Sequence, residues 1–339
     1  MSIRAFIVGL SGPTLTPDER SFIRDADPWG FILFKRNVTD PAGVLALTDA
    51  VREACGRADV PILIDQEGGR VQRMGPPHWP RYPAGRAYGR ISANDPLTRR
   101  ELARLGAQLM AHDLRAVGIN VDCVPVLDVP VPGAHDVIGD RAYGLDPVTV
   151  AVLGRAAAEG LIAGGVLPVI KHIPGHGRAG ADSHHDLPVV DTPREELEAL
   201  DFAPFRHLAD MPLAMTAHVV YTALDPAAPA TTSRRVMRDI IRGHIGYDGL
   251  VMSDDLSMNA LKGTLRERAD ASFGAGCDVG LHCNGKLDEM MQVAAAAPVL
   301  RGRARRRAEA AMARIRHVPE PFDVPEGRAR LDAALAALA

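Results

Sequence analysis

Charged and polar side chains follow four apolar runs of this chain, at the points where those runs end. The ionisable residues at these ends are Asp65, Glu67, Arg70, Arg73, Lys171, His172, His218, Asp254 and Asp255. Any one of them alone is typical of a strand-end cap or a buried ion pair. Four runs that end in the same way favour a shared site, because parallel strands end at one edge of a sheet.

The segment from Lys171 to Asp186 is the densest group of such residues, and its glycines allow a loop to fold tightly. Asp182 and His184 are two residues apart, so a turn can set the carboxylate against one imidazole nitrogen. Such a contact raises the basicity of the ring and leaves its other nitrogen as a general acid or base near neutral pH. For His176 and His185, loop packing or a backbone hydrogen bond is the simpler interpretation.

Short apolar runs alternate with amphipathic segments, which is the pattern of a (β/α)8 barrel. The predicted strands are Ile3–Val8, Phe31–Phe34, Val60–Ile64, Ile119–Pro125, Leu167–Ile170, Leu213–Thr216, Leu250–Met252 and Asp278–His282. Between them, Asp95 and Pro96 have the residue types of a helix start, and Thr192 and Glu195 have the spacing of a capping box. We therefore expect one α/β domain over residues 1–339, a single TIM-type barrel with its active site at the carboxyl ends of the strands.

Loop lengths support this placement of the site. Segments that enter several strands are short and contain glycine, whereas the segments that leave the third, fourth and fifth strands are long: 66–94, 126–146 and 172–191. Barrel enzymes hold their catalytic residues on the loops that follow the strands. The difference in length predicts that the long loops carry the site.

The composition is that of a globular protein, with 47% hydrophobic and 24% charged residues and a formal net charge of −3. That charge provides no electrostatic basis for binding nucleic acid or an anionic membrane. The four cysteines form no Cys-x-x-Cys pair, the start of the chain lacks the features of a signal peptide, and no stretch is long and apolar enough to span a bilayer. We expect a protein that stays in the compartment where it is made, and we interpret the arginine-rich segment 301–307 as a solvated helix face.

Several long motifs occur in the order typical of one enzyme family. The longest is Lys-His-Ile-Pro-Gly-His-Gly at 171–177, followed by Asp-Ser-His at 182–184. Further matching segments are 30–34, 64–73, 125–129, 139–144 and 253–258. Together they resemble glycoside hydrolase family 3, in its bacterial β-N-acetylglucosaminidase branch, over residues 1–285. The remaining segment, 286–339, is helical in pattern and carries no family motif.

The resemblance implies roles for particular residues. Asp254 would be the nucleophile, and His184 would be the general acid/base with Asp182 as its partner. The residues that would bind the terminal sugar are Asp65, Arg73, Arg141, Lys171 and His172. From the residues alone, the choice between Asp254 and Asp255 stays open, because neighbours in a strand should face opposite sides and the flanking residues are apolar on both.

The resemblance also implies the reaction: retaining, exo-acting removal of β-1,4-linked N-acetylglucosamine from the non-reducing end of anhydro-muropeptides. The substrate would be GlcNAc-anhydroMurNAc, with or without peptide, in cell-wall recycling in the bacterial cytoplasm. We expect no cofactor and no metal, because a carboxylate and a proton donor suffice for retaining cleavage. We also expect a monomer. Larger family members take the acid from an appended domain; with a single barrel expected here, the barrel itself must supply it.

Two departures from the family pattern are mild. Ile173 stands where phenylalanine is common, and Ala142-Tyr143 stands where serine-phenylalanine is common. Neither replaces a reacting group, and Tyr143 is the residue expected to alter the wall of the sugar pocket.

Two other functions fit part of the pattern. The residues that could ligate the metal of a metal-dependent hydrolase are His172, His176, His184 and Asp182, although the first strand lacks the His-x-His motif of barrel amidohydrolases. A catalytically silent sugar-binding protein is the second alternative, although every reacting position is filled. Phosphate also stays open as an acceptor in place of water, because a histidine acid repels an anion less than a carboxylate does.

Overall fold

The computed structural model describes residues 2–91, 95–183 and 186–338, and eight parallel strands within them close into a barrel. In chain order the strands are β1 (Arg4–Gly9), β2 (Pro28–Leu33), β3 (Ile62–Ile64), β4 (Val121–Asp122), β5 (Leu167–Ile173), β6 (Leu213–Thr216), β7 (Leu250–Asp255) and β8 (Val279–His282). Each strand pairs with the next, and β8 pairs with β1. The predicted (β/α)8 TIM-type barrel is confirmed, and all eight predicted strands are present.

Helices connect the strands. The α-helices are α1 (Pro17–Ala26), α2 (Pro41–Cys55), α3 (Gly85–Arg90), α4 (Pro96–Ala116), α5 (Pro147–Ala163), α6 (Arg194–Glu196), α7 (Ala203–His207), α8 (Leu265–Ala275), α9 (Leu287–Ala296), α10 (Gly302–Ala313) and α11 (Val324–Ala336). The described residues also form 3-10 helices at Lys35–Asn37, Gly139–Arg141 and Ala230–Thr232 and π-helices at Leu197–Asp201 and Val236–His244. Two small sheets pair Gln66–Gly68 with Val71–Gln72 and Val189–Val190 with Val220–Tyr221.

Strands β5 and β7 run several residues further toward their carboxyl ends than predicted, and the extensions carry polar residues to the rim of the barrel. β5 includes Lys171 and His172 because its pairing with β6 continues as far as Ile173. β7 extends through Asp254 and Asp255. The predicted strands stop at the first polar side chain, whereas strand pairing uses backbone groups that every residue except proline carries.

One helix start is confirmed and another is corrected. The side chain of Asp95 caps α4 by accepting two backbone N–H groups of the first turn, each at 3.1 Å. The capping box predicted at Thr192 is wrong, because α6 begins at Arg194 and its cap residue is Pro193. Thr192 therefore lies one residue too early to cap the helix.

The interior of the barrel is filled by apolar side chains. These side chains form one cluster, which includes Ile7, Ile32, Leu63, Val121, Leu167, Leu213, Leu250 and Val279. Helix α10 packs on this cluster through Ala308 and Met312, and its Arg307 pairs with Asp248 and Asp278, which precede β7 and β8. The helix therefore lies across the amino-terminal end of the barrel, and one member of the arginine-rich segment predicted to be solvated is instead used in ion pairs.

Among the helices in the described ranges, none combines the length and the hydropathy that crossing a lipid bilayer requires.

Candidate active site

A cavity of about 160 Å³ lies at the carboxyl-terminal ends of the barrel strands. Six of the predicted site residues line it: Asp65, Arg73, Arg141, Lys171, His172 and Asp254. The apolar part of its wall consists of Ile32, Phe34, Val71, Val137, Ile138, Met215, Met258, Leu281 and Cys283. The barrel thus brings into one cavity residues of β5 and β7 and of the loops that follow β3 and β4.

Lys171 is a buried cation placed between two carboxylates. Its side chain is 2% exposed, and its Nζ lies 3.0 Å from Asp65 Oδ1 and 2.7 Å from Glu67 Oε1. A buried charge is stable only when it is paired. Burial alone would lower the pKa of Lys171, but Asp65 and Glu67 outweigh this effect and raise it. Lys171 therefore remains a cation and a hydrogen-bond donor at the cavity wall.

Asp65 is held as an anion by two cations. Its Oδ1 accepts from Lys171 Nζ and its Oδ2 accepts from an Arg73 guanidinium nitrogen, both at 3.0 Å. Burial would raise the pKa of Asp65, but Lys171 and Arg73 hold it well below its usual range. Acceptor oxygens of the carboxylate therefore lie beside N–H donors. Such neighbouring acceptors and donors can both bond a sugar hydroxyl, because a hydroxyl donates one hydrogen bond and also accepts.

Glu67 belongs to the site although it is not one of the predicted sugar-binding residues. Its carboxylate makes a bidentate pair with Arg141, with Nε–Oε2 and Nη2–Oε1 distances of 2.8 Å, while Oε1 also contacts Lys171. It ties the loop after β3 to the loop after β4 and to β5. A signal for it exists in the sequence, since Glu67 follows Asp65 at the two-residue spacing that places extended residues on one face.

The Glu67 contacts give a prediction for stability against pH. Burial would raise the pKa of Glu67, but Lys171 and Arg141 lower it from 4.5 to about 2. The stabilisation from this lowered pKa is complete above the unfolded value and is lost as pH falls toward the folded value. We expect the Glu67→Gln variant to lose stability less steeply than the wild type between pH 4.5 and pH 2, by roughly 3 kcal/mol at most.

Urea unfolding at a series of pH values measures this difference in slope. The wild type and the variant should both retain the decline caused by Asp65, so that only part of the slope disappears. Parallel curves for the two proteins would show that Glu67 is not ionised at a lowered pKa in the folded state.

Asp128 orients His172 and the start of the loop that follows it. Asp128 is fully buried and accepts hydrogen bonds from His172 Nδ1 at 2.7 Å, from the His172 backbone N–H at 3.2 Å and from the His176 backbone N–H at 2.7 Å. Because a carboxylate accepts, the hydrogen of His172 is on Nδ1, and Nε2 is the nitrogen left for a ligand. Asp128 is a second residue of the site absent from the predicted set, although it lies in the matching segment 125–129.

His176 lines the same cavity but lacks the protonation state that a catalytic acid needs. It is 3% exposed, and its Nδ1 is buried without a hydrogen-bond partner among the described residues. Burial, with a further contribution from His172, lowers the pKa of His176 to about 4. The imidazole is therefore neutral at pH 7 and has no proton to transfer as an imidazolium.

Asp254 and Asp255 both reach the cavity, so the expectation that they face opposite sides is wrong. The register between β7 and β8 shifts between Met252 and Asp255. Such an irregularity interrupts the alternation of side chains along a strand.

Hydrogen bonds distinguish the two carboxylates. Asp255 Oδ1 accepts from the backbone N–H groups of Ser257 and Cys283 at 3.0 and 3.1 Å, and its Oδ2 accepts from the Ser257 hydroxyl at 2.6 Å. Asp254 Oδ1 accepts only the Asp255 N–H, at 2.8 Å, and no hydrogen bond from a described residue reaches its Oδ2. Asp255 therefore stabilises the turn after β7, while Asp254 keeps an oxygen available to a ligand.

The environment of Asp254 keeps this side chain ionised. Burial would raise its pKa, but His218 and then His172 outweigh that effect and hold the pKa of Asp254 below its usual range. The side chain is 7% exposed and lines the cavity. A desolvated, ionised carboxylate in this position has the properties of a nucleophile.

The loop that carries Asp182 and His184 reaches this cavity. His184 and His185 lie outside the described residues, so the contact between Asp182 and His184 stays a prediction. Ser183 between them is buried and lines the cavity, its hydroxyl lies 3.8 Å from Met258 Sδ, and its carbonyl accepts from Ala260 N at 3.3 Å. The loop that carries Asp182 therefore contacts the loop that follows β7.

The metal-ligand alternative has no complete site in the part of the chain that the structure describes. No group of three or more His, Cys, Asp and Glu residues there is arranged to hold a metal ion. His184, one of the four proposed ligands, lies outside those residues.

Sequence comparisons connect this geometry to known proteins. The family model described as the glycosyl hydrolase family 3 N terminal domain matches residues 8–318. A β-hexosaminidase of Bordetella parapertussis is 42% identical over 282 residues, which cover 82% of this chain and 79% of that protein. A β-hexosaminidase of Alkalilimnicola ehrlichii is 39% identical over 332 residues, covering 97% of this chain and 88% of that protein.

Solved structures agree with the sequence comparisons. NagZ from Neisseria gonorrhoeae, in complex with N-trifluoroacetyl-D-glucosamine, superposes with a TM-score of 0.85 at 32% identity, covering 99% of this chain and 97% of that one. The family 3 β-N-acetylglucosaminidase from Paenibacillus sp. str. FPU-7 superposes with a TM-score of 0.84 at 33% identity, covering 97% of this chain and 67% of that one. The chain belongs to glycoside hydrolase family 3 and is a glycoside hydrolase.

Proposed function

We propose that this enzyme is a retaining exo-β-N-acetylglucosaminidase in which Asp254 is the nucleophile. The observation that carries the proposal is the ionised Asp254 carboxylate, which lines the cavity with Oδ2 unbonded by any described residue. The names of the relatives add the sugar: they are β-hexosaminidases, and one solved neighbour is a complex with an N-acylated glucosamine.

In the proposed first step, Asp254 Oδ2 attacks the anomeric carbon of the terminal sugar while His184 protonates the leaving glycosidic oxygen. The products are a covalent glycosyl-enzyme and the free aglycone. In the second step, His184 takes a proton from water, which attacks the same carbon and releases Asp254 and the sugar with its original configuration. Asp182 accepts a hydrogen bond from the imidazole and supports its charge.

The groups proposed to bind the terminal sugar are Asp65, Arg73, Arg141, Lys171 and His172. Asp65 supplies acceptors, Lys171 and the arginines supply donors, and His172 Nε2 is left for one further hydrogen bond. The cavity volume of about 160 Å³ is small beside the roughly 300–1,000 Å³ of pockets that hold drug-sized ligands. A small cavity supports removal of one terminal sugar over binding of a long chain within the barrel.

The biological part of the proposal rests on the family resemblance. We propose that the substrate is GlcNAc-anhydroMurNAc, with or without its peptide, and that a monomer acts on it in the cytoplasm during peptidoglycan recycling. Neither a nucleic acid nor a membrane is part of the proposal, consistent with the net charge of −3.

A panel of nitrophenyl β-glycosides tests the reaction and its sugar preference. We expect turnover of the 2-acetamido-2-deoxyglucoside to exceed that of the glucoside, with retention of configuration at the anomeric carbon. We also expect activity to survive prolonged incubation with EDTA, because two protein side chains supply the nucleophile and the acid. Proton NMR of the first-formed sugar anomer measures the stereochemistry.

The same panel, run with and without phosphate, identifies the acceptor. Formation of a sugar 1-phosphate would show that phosphate, and not water, is the acceptor, so that the reaction is phosphorolysis. Inversion of configuration, or a loss of activity in EDTA that added zinc restores, would contradict the mechanism itself.

A further inference from the structure

Three buried side chains, joined by four hydrogen bonds, link the backbone on the two sides of the Asp254–Asp255 peptide. Asp254 N lies 3.3 Å from Thr216 Oγ1, which lies 2.8 Å from Thr231 Oγ1. Thr231 Oγ1 lies 2.7 Å from His218 Nδ1, and His218 Nε2 lies 3.0 Å from the Asp255 carbonyl oxygen. We call Thr216, Thr231 and His218 the relay; all three side chains are fully buried.

The direction of each hydrogen bond in the relay follows from donor and acceptor chemistry. The Asp255 carbonyl only accepts, so His218 Nε2 carries a hydrogen; in the tautomer whose single hydrogen is on Nε2, Nδ1 accepts. Thr231 therefore donates to Nδ1, which is closer to its hydroxyl than the alternative acceptor, the Ala217 carbonyl at 3.1 Å.

The remaining links follow in turn. With its hydrogen used on the ring, Thr231 can only accept from Thr216, which in turn accepts the Asp254 N–H. Along these four hydrogen bonds each group then donates to the next, from the Asp254 N–H to the Asp255 carbonyl.

The peptide between these two ends is hydrogen-bonded to the carboxylate of Asp254. The Asp255 N–H donates to Asp254 Oδ1 at 2.8 Å and so orients the Asp254 carboxylate. The relay holds the backbone groups on either side of this N–H. Because the Asp254 N–H and the Asp255 carbonyl are both held, the relay limits the movement of the segment that carries the Asp255 N–H.

We propose that His218, acting with Thr216 and Thr231, is a positioning residue that sets the orientation of the Asp254 carboxylate for attack. The proposal rests on the function proposed above, because it concerns Asp254 as the nucleophile. None of the three residues lines the cavity, so the relay acts on the reaction through the backbone of β7 and not by contact with substrate.

The closing experiment measures how fast a 2-acetamido-5-fluoro glycoside labels Asp254 in wild type and in relay variants. Thr231→Val keeps the side-chain shape but removes the hydroxyl, leaving His218 Nδ1 without its donor. We expect the maximal labelling rate to fall roughly 10- to 100-fold, the range associated with small displacements of a reacting group. The inhibitor concentration at half-maximal rate should not change, because the sugar-binding side chains are untouched.

Rescue and control variants separate positioning from folding. Thr231→Ser keeps the hydroxyl and should restore most of the labelling rate. Thr48→Val is the matched control: Thr48 is fully buried and its hydroxyl bonds the Val117 carbonyl at 2.9 Å, away from the cavity. It should lower the melting temperature without changing the labelling rate of the folded protein. If Thr231→Val does not fold, Thr216→Val provides the same comparison, since it removes the other hydroxyl of the relay.

The possible results are distinguishable. Labelling of another carboxylate in the wild type would overturn the proposed function, and the relay inference with it. Labelling of Asp254 at the wild-type rate in folded Thr231→Val, or no rescue by Thr231→Ser, would overturn the relay inference alone. A slower rate that appears only as weaker inhibitor binding would also contradict it, because positioning acts on the attack step.

Discussion

The Asp254→Ala variant is expected to lower kcat by about 10⁴-fold or more, the scale of effect seen when a nucleophile is removed from an enzyme. The methyl group cannot form a bond to the anomeric carbon, so the two-step route through a glycosyl-enzyme is lost. Steady-state assays on nitrophenyl N-acetyl-β-glucosaminide measure the loss. Trapping of the wild type with a 2-acetamido-5-fluoro glycoside, followed by peptide mass spectrometry, should place the sugar on Asp254.

The neighbouring residue provides the matched control. Asp255→Ala removes the acceptor of the Ser257 and Cys283 backbone N–H groups, so it should destabilise the fold by about 1–3 kcal/mol while the folded fraction keeps most of its activity. Asp254→Asn tests the charge separately, because the amide oxygen can still accept from the Asp255 N–H. A label on Asp65, Glu67 or Asp255 in the wild type would contradict the assignment.

The His184→Ala variant is expected to lose activity according to the leaving group. A sugar alkoxide departs poorly without a proton, so cleavage of a natural disaccharide should fall by about 10²–10⁴-fold, the usual contribution of a general acid. A dinitrophenolate departs readily without a proton, so the glycosylation step on an activated aryl glycoside should fall far less. Pre-steady-state and steady-state rates on the two substrates measure this difference.

Asp182→Ala should show the same dependence on leaving group in a weaker form, since it leaves the imidazole in place. Loss of the nearby negative charge lowers the pKa of the ring, so the alkaline limb of the pH profile should move to lower pH. In His184→Ala the limb that reports the acid should disappear. Equal losses on good and poor leaving groups would mean that His184 binds substrate or supports the loop, and that another residue is the acid.

Much of the site could be predicted because its residues stand in continuous motifs. Asp65, Lys171 and Asp254 end apolar strands, and the predicted gathering of such residues at one rim is confirmed for each of them. The roles of these residues stay predictions that the experiments above address. Glu67 and Asp128 were accessible to the same reasoning, Glu67 through its two-residue spacing from Asp65 and Asp128 through its place in the segment 125–129. Their importance depends on partners that come from other strands.

The hydrogen bonds between distant segments could be identified only from the tertiary structure. The choice between Asp254 and Asp255 depends on the backbone N–H of Cys283 and on the bulged register of β7, and neither leaves a local pattern in the sequence. The relay is another case, because Thr231 lies in a 3-10 helix and contacts His218 and Thr216 through the fold of the loop after β6.

The sequence by itself determined the α/β class, since alternating apolar strands and amphipathic helices can bury their surfaces together only in a layered arrangement, and the count of eight strands predicted the closed barrel. It also determined which end of the barrel carries the chemistry, because the long polar loops follow the strands. Only the tertiary structure decided how the ionisable groups are paired. Burial of Lys171 between Asp65 and Glu67, and of Asp128 beneath His172, brings together charges that are far apart along the chain. A buried charge takes its protonation state from those neighbours, and closure of the barrel is what makes them neighbours.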